Sequence, residues 1–270
     1  MAETLPERTN IIAHDADWQF PAITEQHAYQ LALQVLPETP NAIYVAFPWA
    51  TLIDKLNTNA VDKRVLLSSL RQLAVPRRPG LRVFTVCQHI LLRKFEYLFA
   101  ETGITDVFWP HLTEEPGDDK VAPAFELHPF PLYPVQFPAL EEENFDRERK
   151  YLYSFIGARA NQWYLARTRD WIIDFLGSDP RALVVARDKW HYNRTVYDYQ
   201  THKRLNADPT VENEDQAKEF KNVLRDSLFS LCPSGTGPNS IRLWESIAVG
   251  AIPVVLADGL RLPGPSALWE

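Results

Sequence analysis

The sequence has 270 residues, and its 28 lysines and arginines against 35 aspartates and glutamates give a net charge of −7. A composition that is 46% hydrophobic and 23% charged is typical of folded globular proteins and excludes wholesale disorder. The acidic balance argues against a protein that coats nucleic acid, and every apolar run is far shorter than the ~20 residues that cross a bilayer. Only Cys87 and Cys232 are present, which excludes a disulfide framework and indicates a reducing compartment.

Helices and strands alternate through the first half of the sequence. Hydrophobic patterning with proline and glycine stops predicts helices over Glu25–Leu36, Val61–Leu73 and His89–Thr102, and strands over Asn41–Phe47, Leu81–Cys87, Ile104–Phe108 and Phe125–Tyr133. Such alternation is typical of an α/β layer with a largely parallel sheet.

A change in composition follows. Residues 109–138 are rich in proline, and Glu141–Lys150 carries eight charges in ten residues. A boundary near residue 148 is therefore predicted, with an N-terminal α/β domain at 1–148 and a C-terminal domain at 149–270.

The second half repeats the alternation in a Rossmann-like order. It predicts strands over Tyr151–Ile156, Arg181–Ala186, Leu228–Pro233 and Ala251–Leu256, and helices over Gln162–Leu176, Asp215–Ser227 and Ser240–Val249.

The segment from Leu228 to Leu256 carries the clearest chemical signal. A buried strand runs into a loop of small residues, in which Gly235 and Gly237 allow a ligand close to the backbone. Asn239 or Ser240 can cap the helix that follows, and the free N–H groups of a helix N-terminus favour a phosphate.

Two charged residues lie on that helix. Arg242 in its first turn can clamp a diphosphate, and Glu245, three residues on, can accept hydrogen bonds from a ribose diol. An ordinary loop and helix with an exposed Arg–Glu pair is the alternative. The stripe expected to pack on the sheet is Ile241, Trp244, Ile247 and Ala248.

This segment resembles the signature of the exostosin-like glycosyltransferases (glycosyltransferase family 47). The matching positions are Cys232, Pro233, Ser234, Gly235, Ser240, Arg242, Glu245, Ile247, Gly250, Ile252, Pro253 and Val254. A looser match, Phe155–Arg159, is similar to the strand–Gly–Arg opening of the family's donor domain.

The resemblance implies a GT-B-like α/β fold, in which two Rossmann-like domains face a cleft. Residues 1–148 would then be the acceptor side and 149–270 the domain that binds the nucleotide-sugar donor. The family continues past the last strand with further elements, so a truncated C-terminal part is expected. The implied donor-binding residues are Gly157, Arg159, Ser234, Gly235, Ser240, Arg242 and Glu245.

The implied reaction is inverting, metal-independent transfer of a sugar from a nucleotide-sugar, UDP-linked, to a glycan or glycolipid acceptor. No cofactor and no metal are required, because arginines and helix N-terminal amides can stabilise the leaving diphosphate. Candidate bases are Asp54, His89 and His111 near strand ends of the first half, and Asp188 on the donor side. Each is also open to a capping, core or surface role. The aromatic stretch Trp190–Tyr199 is open to a sugar subsite or a core lid.

A cytoplasmic enzyme is expected, peripheral at the inner face of a membrane or held there by partner proteins, with no transmembrane segment and no nucleic-acid partner. One alternative is a truncated or degenerate transferase that binds nucleotide or glycan without turnover. Another is a nucleotide-sugar epimerase, against which the missing G-x-G-x-x-G motif counts.

Overall fold

The structure, a computed structural model, describes residues 10–114, 124–187 and 214–269. Asp188 and the aromatic stretch Trp190–Tyr199 lie outside these residues. The chain divides into two compact units. The first comprises Met1–Gln19, Ile23–Pro131 and Arg261–Glu270, and the second comprises Phe20–Ala22 and Leu132–Leu260. Within the described residues, no helix is both long enough and apolar enough to span a membrane.

The first unit contains a five-stranded parallel sheet in the order β1-β2-β3-β4-β5. Its strands are β1 (Ile11–Ala13), β2 (Ala42–Ala46), β3 (Arg82–Val86), β4 (Asp106–Trp109) and β5 (Glu126–Pro129). Its helices are α1 (Thr24–Val35), α2 (Trp49–Asn57), α3 (Lys63–Gln72) and α4 (Glu96–Glu101), with 3-10 turns at Leu92–Phe95 and Ser266–Leu268. The predicted parallel α/β layer is confirmed.

Patterning predicts neither β1 nor α2, which are short, with three and nine residues. The first residue of α2, Trp49, is fully buried, and its ring stacks on Phe99 with 4.2 Å between centroids. Its indole N–H donates to the hydroxyl of Thr85 on β3 at 2.7 Å. Tertiary packing of this aromatic residue therefore fixes α2 against the sheet.

The helix predicted over His89–Thr102 begins later than expected. Helical structure starts only at Leu92, because one local and one long-range hydrogen bond hold His89 in a turn. The Leu91 N–H donates to Nδ1 of His89 at 3.0 Å, and the indole N–H of Trp109 donates to the His89 carbonyl at 3.0 Å.

The second unit contains a four-stranded parallel sheet in the order β7-β6-β8-β9. Its strands are β6 (Tyr151–Ala158), β7 (Ala182–Arg187), β8 (Ser227–Pro233) and β9 (Ile252–Leu256). Its helices are α5 (Thr168–Trp171), which continues as a π-helical segment over Ile172–Leu176, α6 (Glu214–Arg225) and α7 (Ile241–Ala248), with a 3-10 turn at Glu142–Asn144.

Residues 132–148 fold with this second unit, so the units part earlier in the chain than residue 148. Phe137 belongs to a buried cluster with Leu224 and Val249. A salt bridge of 2.6 Å joins Nη2 of Arg225 to Oε1 of Glu141. The acceptor and donor roles assigned to the two parts of the chain stay predictions.

The prediction of a helix over Gln162–Leu176 is wrong for residues 162–167, since α5 begins only at Thr168. The side chain of Asn161 accepts from the Trp163 N–H at 2.9 Å and its carbonyl accepts from the Tyr164 N–H at 3.1 Å. The next N–H, of Leu165, donates to the Gly235 carbonyl at 3.0 Å. This hydrogen bond to another loop takes the donor that a helix would use.

Candidate functional site

The strand order of the second unit reverses between β6 and β8, because β7 lies on one side of β6 and β8–β9 lie on the other. Ligands of parallel α/β sheets bind beyond the carboxyl ends of the strands at such a switch point. Gly157 lies in the last residues of β6, and Ser234 and Gly235 follow β8. Three of the predicted donor residues therefore lie at this point of the sheet.

Strands β6 and β8 part before they end. Their pairing stops at Ser154 and Ser230, whereas β6 pairs with β7 as far as Ala158. The guanidinium of Arg242 fills the gap: it donates to the carbonyl of Ile156 on β6 and, at 3.2 Å, to that of Leu231 on β8. These bonds replace sheet hydrogen bonds at the place where the two strands diverge.

A second arginine, Arg169 on α5, reaches the same place. It donates from Nε to the carbonyl of Ser234 at 3.0 Å and from Nη1 to that of Ala158 at 3.4 Å. The ring of Tyr164 lies 4.8 Å from its Cζ and holds the guanidinium from one side. Sequence reasoning misses Arg169 because its segment is predicted as an ordinary helix.

Gly157 marks where the two guanidinium groups come together. A Cβ on this residue would lie 3.2 Å from Nη1 of Arg169 and 3.3 Å from Nη2 of Arg242. The ring of Phe155 lies beneath both groups, with its centroid 4.6 Å from Cζ of Arg242 and 5.7 Å from Cζ of Arg169. An aromatic face stabilises neighbouring cations and so lowers the cost of placing two together.

The electrostatics of this pair favour an anion. Burial first, and the charge of Arg169 second, lower the pKa of Arg242 to about 10, and burial lowers the pKa of Arg169. Both groups therefore remain protonated at neutral pH. Among the described residues, neither guanidinium forms a salt bridge with a carboxylate, and the buried Nε of Arg242 has no hydrogen-bond partner.

Arg159, the other predicted cation, lies just beyond β6 and is engaged differently. It pairs with Asp174 at 2.8 Å and approaches Asp170 at 3.9 Å, and half of its side chain is exposed. Asp170 also forms a salt bridge with Arg167, with 2.5 Å between Nε and Oδ2. Aspartates thus neutralise Arg159 and Arg167, whereas Arg169 pairs with no carboxylate of the described chain.

Helix α7 begins directly after the loop that follows β8. Ser240 occupies the N-cap position but its hydroxyl makes no capping hydrogen bond, while Asn239 accepts from the indole N–H of Trp244 at 3.1 Å. The predicted buried stripe of α7 is partly wrong, because the buried residues are Leu243, Glu245, Ser246 and Ala248. Arg242, Glu245 and Ser246 share one face of the helix, and Arg242 on that face donates to carbonyls of β6 and β8.

Glu245 is 4% exposed and accepts the main-chain N–H of Gln136 at 2.9 Å. Burial raises its pKa to about 7, against the opposing effects of the Gln136 N–H and the charge of Arg242. Glu245 is thus a buried acid whose Oε1 already has a main-chain partner.

The three candidate bases of the first half come together at the carboxyl edge of the first sheet. Nε2 of His89 lies 3.0 Å from Oδ1 of Asp54, and both side chains are mostly buried. His111, two residues beyond β4, is buried, with no hydrogen-bond partner for Nδ1 among the described residues. Burial first and the charge of His89 second lower the pKa of His111 to about 3, so its imidazole is neutral.

One group of side chains in the described part of the chain has metal-ligand chemistry. The ligand atoms of Asp106, Glu126 and His128 lie within 4.8 Å of one another, near the starts of β4 and β5. Asp106 is already bonded to Arg82, and it lies 2.8 Å from Nε2 of His128. The Arg82 guanidinium competes with a cation for this carboxylate.

The sequence matches the family profile described as the exostosin GT47 domain over residues 85–269. The chain belongs to the exostosin GT47 family. The matched region contains all of β6–β9 and therefore both arginines of the switch point. GT47 is a glycosyltransferase family.

Several named proteins are similar to this chain. The probable glucuronoxylan glucuronosyltransferase IRX7 of Arabidopsis thaliana is 49% identical over 49 residues, which are 18% of this chain and 11% of that protein. The exostosin-1 homolog of Caenorhabditis elegans is 30% identical over 141 residues, 51% of this chain and 34% of that protein. Exostosin-1 of Drosophila melanogaster is 27% identical over 148 residues, 52% of this chain and 19% of that protein. The aligned segments thus span about a third or less of each relative's length.

Proposed function

We propose that this chain is an inverting glycosyltransferase of the GT-B type, which moves a sugar from a UDP-linked donor to a glycan or glycolipid acceptor. The second unit binds the donor and the first unit binds the acceptor. We further propose that the reaction needs no metal and that the enzyme works in the cytoplasm, peripheral at the inner face of a membrane.

One observation carries this proposal: the guanidinium groups of Arg169 and Arg242 meet at Gly157 without a carboxylate partner in the described chain. Two protonated guanidinium groups at the switch point of a parallel sheet favour a ligand with two negative charges. The diphosphate of a nucleotide-sugar has this charge. The α7 N-terminus, with Gly235 and Ser240, supplies further donors, and Glu245 supplies an acceptor for the ribose.

The proposed step is a single displacement. The acceptor oxygen forms a bond to the anomeric carbon as the bond from that carbon to the phosphate oxygen breaks. The electron pair goes to the diphosphate, where Arg169 and Arg242 stabilise the growing charge, and the proton of the acceptor hydroxyl goes to a base. Attack from the face opposite the leaving group inverts the anomeric configuration.

The names of the relatives suggest which donors to try first. IRX7 is described as a probable glucuronoxylan glucuronosyltransferase, and a rice protein that is 51% identical over 49 residues as a probable glucuronosyltransferase. Uronosyl donors therefore come first in the test, with neutral UDP-hexoses and UDP-pentoses beside them.

The test has two stages. Calorimetric titration with UDP, GDP and CMP measures nucleotide binding by wild type, Arg169→Ala and Arg242→Ala. Wild type is then incubated with UDP-glucuronic acid, UDP-glucose, UDP-galactose and UDP-xylose, with and without xylo-oligosaccharides, and UDP release is followed. Proton NMR of the product gives the anomeric configuration, and a parallel reaction contains EDTA.

We expect UDP binding that both substitutions weaken, and acceptor-dependent UDP release that EDTA leaves unchanged. Absence of nucleotide binding in wild type would refute the donor site. Nucleotide binding without turnover would instead indicate a non-catalytic binding module, and a product with retained configuration would refute the single displacement.

A further inference from the structure

A chain of hydrogen bonds crosses the carboxyl edge of the first sheet. It starts at Glu25 on α1, which is 3% exposed and whose carboxylate accepts the main-chain N–H groups of Gln88 at 2.9 Å and Ala50 at 3.1 Å. Gln88 returns the contact, because its side-chain oxygen accepts the main-chain N–H of Glu25 at 3.2 Å. Glu25 therefore joins the turn after β3 to the first turn of α2.

The same network reaches a carboxylate near the surface. The side-chain amide of Gln88 donates to Oε1 of Gln19 at 2.9 Å, and the amide of Gln19 donates to Oδ2 of Asp54 at 2.8 Å. The other carboxylate oxygen of Asp54, Oδ1, contacts Nε2 of His89. In a buried polar network each member limits the orientation of the next, so Asp54 has a fixed position.

The proton positions on His89 follow from its partners. Nδ1 accepts the Leu91 N–H at 3.0 Å, so this nitrogen carries a lone pair and no proton. Nε2 faces the Asp54 carboxylate at 3.0 Å and must be the protonated nitrogen. Both nitrogens of His89 are therefore occupied, whereas each oxygen of Asp54 retains a lone pair after its one hydrogen bond.

Accessibility separates Asp54 from the remaining candidate. The side chain of Asp54 is 16% exposed, so part of it faces solvent. Nδ1 of His111 is fully buried and no hydroxyl can approach it without a rearrangement. Among the three candidate bases, Asp54 alone combines an available lone pair with exposure.

We propose that Asp54 accepts the proton of the acceptor hydroxyl, and that Glu25 is a positioning residue that acts on Asp54 through Gln88 and Gln19. This assignment rests on the proposed function. As the acceptor O–H bond breaks, the proton passes to a carboxylate oxygen of Asp54, and the oxygen lone pair forms the bond to the anomeric carbon. His89 donates its Nε2 proton to Asp54 throughout and stays in one tautomer.

The test compares variants for kcat, donor KM and UDP affinity, with UDP-glucuronic acid and xylo-oligosaccharides or the best pair of the donor panel. Asp54→Asn should lower kcat by about 100-fold or more, the usual effect of losing a general base, with UDP affinity within about twofold of wild type. Formate should restore part of the activity of Asp54→Ala, which a purely structural loss would not allow. Asp62→Asn, which alters a partly buried ion pair with Lys55, is the matched control.

Glu25→Gln should lower kcat by about tenfold with donor KM and UDP affinity unchanged, because the NH2 group that replaces Oε2 would face the main-chain N–H of Ala50, which lies 3.2 Å from that oxygen. Should Glu25→Gln not fold, Gln19→Leu interrupts the same network nearer to Asp54 and should have the same effect on kcat.

The outcomes separate the two proposals. Wild type without nucleotide binding or UDP release contradicts the proposed function, and the assignment of Asp54 with it. An active wild type whose Asp54→Asn variant keeps kcat within about threefold, or whose Asp54→Ala variant formate does not restore, overturns the assignment of Asp54 alone. An unchanged kcat in Glu25→Gln and Gln19→Leu overturns the positioning role.

Discussion

The guanidinium groups of Arg169 and Arg242 come together at the end of β6, where a Cβ on Gly157 would lie 3.2 Å from one and 3.3 Å from the other. The two residues come from different helices, α5 and α7, and both donate to main-chain carbonyls of the sheet or the loop after it. Their carbonyl partners fix them side by side, and neither guanidinium forms a salt bridge with a carboxylate of the described chain.

Loss of the Arg169 guanidinium should weaken UDP binding. We expect Arg169→Ala to raise the Kd for UDP by about 10- to 100-fold, because a charge-assisted hydrogen bond contributes about 1.5–3 kcal/mol. Arg169→Lys should recover only part of the affinity, since a lysine cannot donate to Ser234 and to a phosphate in the same planar geometry. Calorimetry measures both.

Arg181→Ala is the control for charge loss in the same unit, because Arg181 is exposed and pairs with its neighbour Asp179. Arg159→Ala tests the cation that the sequence predicts, and its pairing with Asp174 leads us to expect a smaller change in Kd than for Arg169→Ala. An equal or larger change would place Arg159 at the diphosphate instead.

A methyl group on Gly157 should disturb the site more than the fold. The added Cβ would lie 3.0 Å from Cζ of Phe155 and within 3.3 Å of both guanidinium groups, so the arginines must move apart. We expect Gly157→Ala to raise the Kd for UDP by about tenfold or more and to lower the melting temperature by only a few degrees. Gly235→Ala, whose Cβ would meet its nearest atoms at 3.7 Å, should be better tolerated in melting temperature. Unchanged UDP affinity in Gly157→Ala would show that the diphosphate binds elsewhere.

Arg242 should contribute to stability as well as to binding. Its guanidinium bridges the carbonyls of Ile156 and Leu231 where β6 and β8 part. Arg242→Leu leaves these carbonyls without the guanidinium and should lower the free energy of unfolding by about 2–4 kcal/mol. Urea unfolding measures this, with Arg181→Ala as the surface control. A change below about 0.5 kcal/mol would mean that the bridge is not needed for folding.

The buried acids should make stability fall as pH rises. Burial raises the pKa of Glu25 to about 8, against the N–H groups of Gln88, Ala50 and Trp49 and with a contribution from the charge of Asp54. Glu245 is raised to about 7. Because both values exceed the ordinary 4.5, Glu245 binds more protons in the folded state up to about pH 7 and Glu25 up to about pH 8, whereas His111 binds fewer below its ordinary 6.5 and offsets one of the two acids there. The free energy of unfolding then decreases with pH by at most about 1.4 kcal/mol per pH unit for each acid.

Chemical unfolding at pH 5, 6, 7 and 8 tests this sign. Glu25→Gln should remove the decrease between pH 7 and 8, and Glu245→Gln should remove part of the decrease below pH 7. A wild-type stability that rises over this range, with the same slope in both variants, would show that the two carboxyl groups are ionised in the folded protein at acidic pH.

The sequence determines the family and most of the secondary structure. The strand–loop–helix from Leu228 to Leu256 can be interpreted without the structure, because its glycines, Arg242 and Glu245 lie close together in the chain. Local spacing fixes which residues share a helix or follow a strand. Eleven of the fourteen predicted elements have both ends within two residues of a helix or strand of the structure. The helix predicted over 162–176 begins late because a distant carbonyl, that of Gly235, accepts the N–H of Leu165.

Only the tertiary structure decides which arginine joins Arg242. Nothing in the sequence distinguishes Arg159, Arg167 and Arg169. In the structure Asp174 pairs with Arg159 and Asp170 with Arg167, and Arg169 has no carboxylate partner among the described residues. The lateral order of β6 and β8, and the burial of Glu25 between two turns far along the chain, are equally invisible to patterning. Charge pairing and burial depend on contacts between residues distant in sequence, and no local pattern encodes those contacts.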